Sequence, residues 1–169
     1  IDKIVNINGH ILVYPIDNEG IKNFDIIENE IKKLKFIKKS IPMIEAQILA
    51  LGDSQSSGGL LRGVPIDRLS NIDIISSNII EGKLIKNNDG VIIGSRLASN
   101  LSLSTENNIS IMSPRGISSP FGTIPRSYSY DIDAVFDIGM TDYDSSVIFM
   151  DLPIAQEFLN LGNVVGVIQ

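Results

Sequence analysis

The stretch SPRGISSPFGTIPRSYSY, residues 113–130, decides how the rest of the chain is read. Pro114, Pro120 and Pro125 fix φ, while Gly116 and Gly122 permit sharp reversals, so the expectation is a stiff loop. Residues 108–112 before it (NISIM) and 128–136 after it read as strands, so the loop projects from a two-stranded arm. Phe121 and Ile124 put apolar side chains at its middle, on a segment expected to face solvent. A stiffened loop loses little entropy when a partner docks, and an apolar tip gives that partner surface to bury. The expectation is a hook for another protein.

Outward from the hook, strands alternate with helices. Tyr128, Tyr130, Ile132, Ala134 and Phe136 recur at period two, the pattern of a half-buried antiparallel strand. VIFM at 147–150 is apolar throughout, as a central strand would be. Asp151 is placed to cap a helix with Pro153 in its first turn; Ile154, Ala155, Phe158 and Leu159 make its core face, and Gly162 its stop. Residues 163–169 end the chain as a strand. Upstream, VII at 91–93 is a strand after the turn NNDG, and Ser95 is the expected cap of a short helix carrying Leu97, Ala98 and Leu101. Residues 10–16 and 43–51 read as strands, and 60–66 as extended chain. GDSQSSGG at 52–59 reads as a flexible loop or hairpin tip, 67–72 as a turn, and 76–85 as ambiguous. Residues 24–39 are the clearest helix: Phe24, Ile27, Ile31 and Leu34 fall on one face, with acids early and lysines late to complement the dipole. Its lysine run reads as a solvated helix end. The outcome is an α+β chain with β-α-β-like ends and a strand-rich middle.

Composition narrows the classes of function. A chain of 169 residues suits one domain, or two small ones sharing strands. The net charge of -6 argues against a nucleic-acid surface, which needs a basic face to release counterions. No cysteine is present, so neither a disulfide framework nor a thiolate metal site is available. No apolar run approaches the ~20 residues of a membrane span. The chain opens at Ile1 without a signal-peptide pattern, as an excised soluble piece of a longer protein or a processed chain would.

The residues offer little for catalysis. His10 is the single histidine and reads as a packed or surface strand residue. No G-x-S-x-G elbow supplies a nucleophile for it. Gly52, Asp53 and Ser54 resemble the start of some esterase motifs, without a second motif to support them. Asp142 and Asp144 are too few carboxylates for a hard cation, and a loop between strands accounts for them. No cofactor, metal or catalytic residue is assigned.

Several segments in shared order resemble the periplasmic domain of the lipoprotein-releasing ABC transporter permeases, the LolC/LolE family. They are NGHILV at 8–13, GVIIGSRLA at 90–98, SP at 113–114, SPFGTIPR at 119–126, VFDIGMTDYDS at 135–145 and DLPIAQEFLNLG at 151–162. The resemblance implies a domain between two membrane helices, in the fold shared with macrolide-exporter-type permeases. It implies a porter-like α/β subdomain over 1–66 and 141–169, and an inserted β-rich subdomain over 67–140 carrying the hook loop 113–126. It also implies a location on the periplasmic face of the bacterial inner membrane. ATP would be hydrolysed on a separate ATPase subunit, with a second permease completing the transporter and lipoproteins as substrates.

In LolC-type permeases a protruding loop hooks the periplasmic lipoprotein chaperone LolA. The matching residues here are Pro120, Phe121, Gly122, Thr123, Ile124, Pro125 and Arg126, with Phe121 as apolar anchor. The family supports its hook with a basic and polar patch. Here the candidates for that support are Arg115, Ser127 and Tyr128. Two other readings stay open: a related mechanotransmission permease exporting a different substrate, and a small hydrolase using Ser54 and Asp53.

Overall fold

Strand β2, Pro42–Leu51, lines the core and pairs on both sides. The computed structural model describes residues 10–17, 19–69, 72–84, 89–119 and 122–169, with backbone alone at 73, 115–119 and 122–124. In chain order the elements are β1 (Ile21–Lys22), α1 (Phe24–Lys32), β2, β3 (Ser56–Val64), α2 (Ile66–Leu69), α3 (Asp73–Ser76), β4 (Ile79–Gly82) and β5 (Val91–Gly94). There follow α4 (Ser95–Leu101), β6 (Asn108–Ser119), β7 (Gly122–Phe136), α5 (Thr141–Ser146), β8 (Val147–Asp151), α6 (Leu152–Leu159), β9 (Val164–Val165) and β10 (Val167–Ile168).

One sheet holds the molecule together, in the order β10-β2-β3-β8-β5-β7-β4, with β6 bridging β2 and β7. That bridge closes β2, β3, β8, β5, β7 and β6 into a hydrogen-bonded ring. Most pairs are antiparallel; β3 with β8 and β5 with β7 are parallel. The sheet is continuous across the two ranges 1–66 plus 141–169 and 67–140, because β5 pairs with β8 and β6 with β2. The fold mixes helices with a dominant, mostly antiparallel sheet, in line with the α+β expectation.

Both sheet faces are buried, which is why β5 and β8 are apolar without alternation. Ile93, Ile148 and Met150 join Ile109, Ile111 and the helix residues Leu97, Ala155 and Phe158 in one cluster. Their neighbours Ile92, Val147 and Phe149 face the opposite way, toward Leu69, Ile75 and Phe136. A third cluster of Phe24, Ile44, Leu152, Val165 and Ile168 sits under α1.

Several local expectations are corrected. Of the expected hook loop 113–126, residues 113–119 and 122–126 are strand rather than loop, because β6 and β7 stay paired as far as Ser119 and Gly122. The helix expected over 24–39 is regular only to Lys32. Beyond it the apolar face has nothing to cover: Leu34 is 45% and Phe36 69% exposed. Its buried face is Phe24 and Glu28, not Ile27. Residues 10–16 form no strand beyond one bridge from Val13 to Ile168, and His10 lies exposed in a bend.

The loop expected over 52–59 shrinks to a turn, because the glycines at 58 and 59 belong to β3. Two β3 glycines have a use in close packing: a Cβ at Gly59 would press on the Ser146 carbonyl of α5, and one at Gly63 would overlap Ala155 of α6. Residues 66–69 and 73–76 fold as α2 and α3 instead of a plain turn. Asp142 and Asp144 lie in α5 rather than a loop. Gly94 takes the cap position expected for Ser95. The α6 helix stops at Asn160, held left-handed at φ 54, before Gly162 is reached. The C-terminal strand is split into β9 and β10.

Candidate partner-binding hairpin

The arm begins as part of the ring and leaves it. From Asn108 to Ser113, β6 pairs regularly with residues 126–131 of β7, and Ser110–Met112 pair laterally with Leu49–Leu51 of β2. Past Ser113 and Arg126 the two strands have only each other among the described residues. The ribbon from Ser113 to Ser119 spans seven positions, roughly 20 Å if fully extended.

The ladder is irregular at one place, where Ser113 opposite Arg126 is followed by Ile117 opposite Ile124. Residues 114–116 on β6 therefore face Pro125 alone on β7. Pro114 and Pro125 both fall inside this bulge, where no ladder hydrogen bond is lost by lacking an N–H. The prolines thus permit the hairpin to continue instead of interrupting it.

The base of the ribbon is anchored on α6. Arg126 Nη1 donates to the carbonyl oxygens of Glu157, at 3.0 Å, and Phe158, at 3.3 Å. Those carbonyls lie in the last turn of the helix, where backbone acceptors lack helical partners and a cation complements the dipole. Tyr128 and Tyr130 meet the buried Phe158 ring edge-on, with centroids 6.0 and 6.2 Å away. Burial pushes the Tyr130 hydroxyl up to about 12, with smaller contributions from Tyr128, Glu157 and Asp89. Ser113, opposite Arg126, is buried.

Of the residues singled out in the sequence, Pro120 and Phe121 lie outside the described residues. Gly122, Thr123 and Ile124 are the first residues of β7, and Arg115 lies on β6 in the bulge. Pro125 and Ser127 are exposed, and Tyr128 is 51% exposed while leaning on Phe158. Arg126 is engaged with the helix end. Phe158 and the Glu157 carbonyl belong to the site's foundation but gave no sign in the sequence, because they lie about thirty residues away.

The other candidates are structural. Asp144 is buried and accepts the Ile138 N–H at 3.0 Å. Among the described residues no group of three or more His, Cys, Asp or Glu side chains could hold a metal. Asp53 and Ser54 are exposed in the turn closed by the Gly52 N–H to Gln55 carbonyl bond. A polar cleft lined by Ser95, Arg96, Ser99, Asn100, Asp137 and Thr141 opens between α4 and α5. Asp137 is held below its ordinary carboxylate range there by the Ser95 hydroxyl, at 2.8 Å, and by the Gly139 N–H. Among the described residues no helix is long and apolar enough to cross a membrane.

No family model matches the chain. In sequence it is similar to the lipoprotein-releasing system transmembrane protein LolC of Xylella fastidiosa strain Temecula1. The two are 19% identical over 129 residues, covering 75% of this chain and 31% of LolC. The LolC of strain 9a5c matches to the same extent. The chain thus spans about a third of the length of these curated relatives. In fold it is similar to the periplasmic region of MacB from Actinobacillus actinomycetemcomitans, with TM-score 0.58, 12% identity, and coverage of 94% of this chain and 64% of that one. It is likewise similar to the extracellular domain of the noncanonic ABC-type transporter YknZ from Gram-positive bacteria, with TM-score 0.59, 15% identity, and coverage of 93% and 79%. The chain is LolC-like in sequence and has the fold of MacB-type periplasmic domains.

Proposed function

We propose that this chain is the periplasmic domain of an inner-membrane ABC permease that releases lipoproteins, and that its hairpin recruits the chaperone LolA. The observation that carries the reading is the two-stranded ribbon leaving the ring beyond Ser113 and Arg126, clamped at its base to α6. A ribbon clamped at its base has its described strands already ordered, which lowers the ordering entropy that docking costs. The similarity to LolC supports the choice of cargo. The tip sequence Pro120-Phe121-Gly122-Thr123-Ile124-Pro125 supplies the apolar contact, with Phe121 as anchor.

Arg126 serves this reading as a positioning residue, since its guanidinium is used within the domain. Pro125, Ser127 and Tyr128 are the exposed neighbours that a bound chaperone would meet next. The domain itself is no enzyme: ATP is hydrolysed on a separate subunit, and a second permease completes the membrane part. Residues 67–140 form the inserted subdomain in this reading, and 1–66 with 141–169 the porter-like one.

Calorimetry of the chain with LolA tests the proposal. A central aromatic anchor is worth ~2 kcal/mol or more, so Phe121→Asp should weaken binding about 30-fold or abolish it. Equal binding by both proteins, or none by the wild type, refutes the hook. The fold similarity to MacB and YknZ favours a second reading, a related permease exporting another substrate. That reading gains if the wild type ignores LolA.

A further inference from the structure

Residues 32–39 carry Lys32, Lys33, Lys35, Lys38 and Lys39, and no acidic residue occurs from Ile31 to Ile44. In a chain of net charge -6 this concentrates positive charge at one place. All five lysines are exposed, and so are Leu34 and Phe36 between them. Lys32 is 2.7 Å from the buried Glu28, and Lys33 is 2.5 Å from Glu30, so Lys35, Lys38 and Lys39 lie furthest from these acids in the chain. Of the acids upstream of the helix, Asp17 accepts the Glu19 N–H and Glu19 pairs with the Lys22 ammonium.

The same edge of the fold holds both ends of the described chain. Ile41 exchanges backbone hydrogen bonds with Gln169, at 2.9 and 3.0 Å, and Val13 does so with Ile168. Around Val13, Ile11, Leu12, Tyr14 and Ile16 are exposed, Tyr14 by 63% and Ile16 completely. Lysines interspersed with exposed aliphatic and aromatic side chains make the composition of a membrane–water interface.

We propose that this corner rests on the anionic phospholipid headgroups of the membrane. The inference rests on the permease reading, in which the parent chain continues into membrane spans on either side of this domain. The curated relatives are transmembrane proteins of which this chain spans 31%. With Val13 held beside Ile168, and Ile41 beside Gln169, spans on either side would bring the Lys35–Lys39 turn to the bilayer surface. The lysines bind phosphate groups electrostatically, while Phe36, Tyr14 and Ile16 enter the headgroup layer. The domain's tilt is thereby fixed, and with it the direction of the hairpin.

Co-sedimentation of the 169-residue chain with vesicles tests this. Phosphatidylethanolamine vesicles containing phosphatidylglycerol should retain it, and phosphatidylcholine vesicles should not. Combined Lys35→Glu, Lys38→Glu and Lys39→Glu should lower the partition coefficient about tenfold or more, and so should high salt with the wild type. Lys83→Glu, next to β4 at the far end of the strand order, should change it less than about twofold. No retention on anionic vesicles, equal retention on neutral ones, or insensitivity to the triple variant overturns the proposal. Self-association without vesicles that Phe36→Ser abolishes would assign the corner to a second copy, and overturns it too. LolA binding by the triple variant separates the two readings: retained, it shows the hook intact whatever the vesicles report.

Discussion

Replacing Arg126 by alanine removes the only charged tie, among the described hydrogen bonds, between the hairpin and α6. Hydrogen bonds from a charged donor contribute ~1.5–3 kcal/mol, and a cation at a helix end up to ~1 kcal/mol more. The second contact is long at 3.3 Å and Arg126 is only half-buried, so the expected loss is about 1–2 kcal/mol. Tyr128, Tyr130 and Phe158 remain, so the fold should survive. The assay is native-state hydrogen exchange of the amides in 108–131, with a urea midpoint for the whole domain. Since 1.4 kcal/mol is tenfold, the arm's amides should exchange about tenfold faster, and those of β5 and β8 little changed. Arg126→Lys should recover part of the protection, because one ammonium can still reach a helix carbonyl. If Arg126→Ala alters neither arm exchange nor the midpoint, the anchor argument is wrong. Under the proposed function this variant should weaken LolA binding less than Phe121→Asp, because it loosens the arm without deleting the contact.

Two further expectations concern the scaffold. Gly63→Val should destabilise by at least ~1–3 kcal/mol, because its side chain would overlap Ala155 and lift α6 from β3, whereas Gly58→Ala meets nothing within 4 Å; equal urea midpoints for the two would refute this packing. Glu28 is buried, 2.6 Å from Arg68 Nη1 and 2.7 Å from Lys32 Nζ. Burial opposes its ionisation, but the hydrogen bonds from Lys32 and Arg68 outweigh burial and hold the carboxyl below its ordinary value. A depressed folded-state value means stabilisation that is full above the unfolded pKa of about 4.3 and lost as pH falls through the folded one. Glu28→Gln should therefore cost about 1–3 kcal/mol at pH 7 and progressively less below about pH 4, read from urea midpoints across pH; a constant gap would refute the pairing.

Elements with local causes were legible in the residues themselves. Asp151 accepts the Leu152 N–H at 2.9 Å and starts α6, whose buried Ala155 and Phe158 follow from their spacing. The period-two run 128–136 and the apolar blocks of β5 and β8 are equally plain. What escaped has causes distant in sequence. Glu28 is buried because Arg68, forty residues on, meets it and also donates to the Ser40 carbonyl at 2.7 Å. Gly58 and Gly59 are strand because they pair with Leu49 and Ile48 of β2, and Gly59 also leaves room for the Ser146 carbonyl of α5. The arm itself could be anticipated from its flanking strands. Its anchor could not, since Phe158 looks like any core residue of an amphipathic helix until Tyr128 and Tyr130 are seen against it.

The bulge that gathers Pro114 and Pro125 has a consequence for crowding. A bare two-stranded ribbon offers two open rows of amides and carbonyls to any passing chain, the usual start of runaway stacking. An imino residue on each strand, at the point where the ribbon loses its lateral neighbours, denies an intruder a continuous ladder. The ribbon can then leave the ring with both edges open and still keep copies of the chain apart.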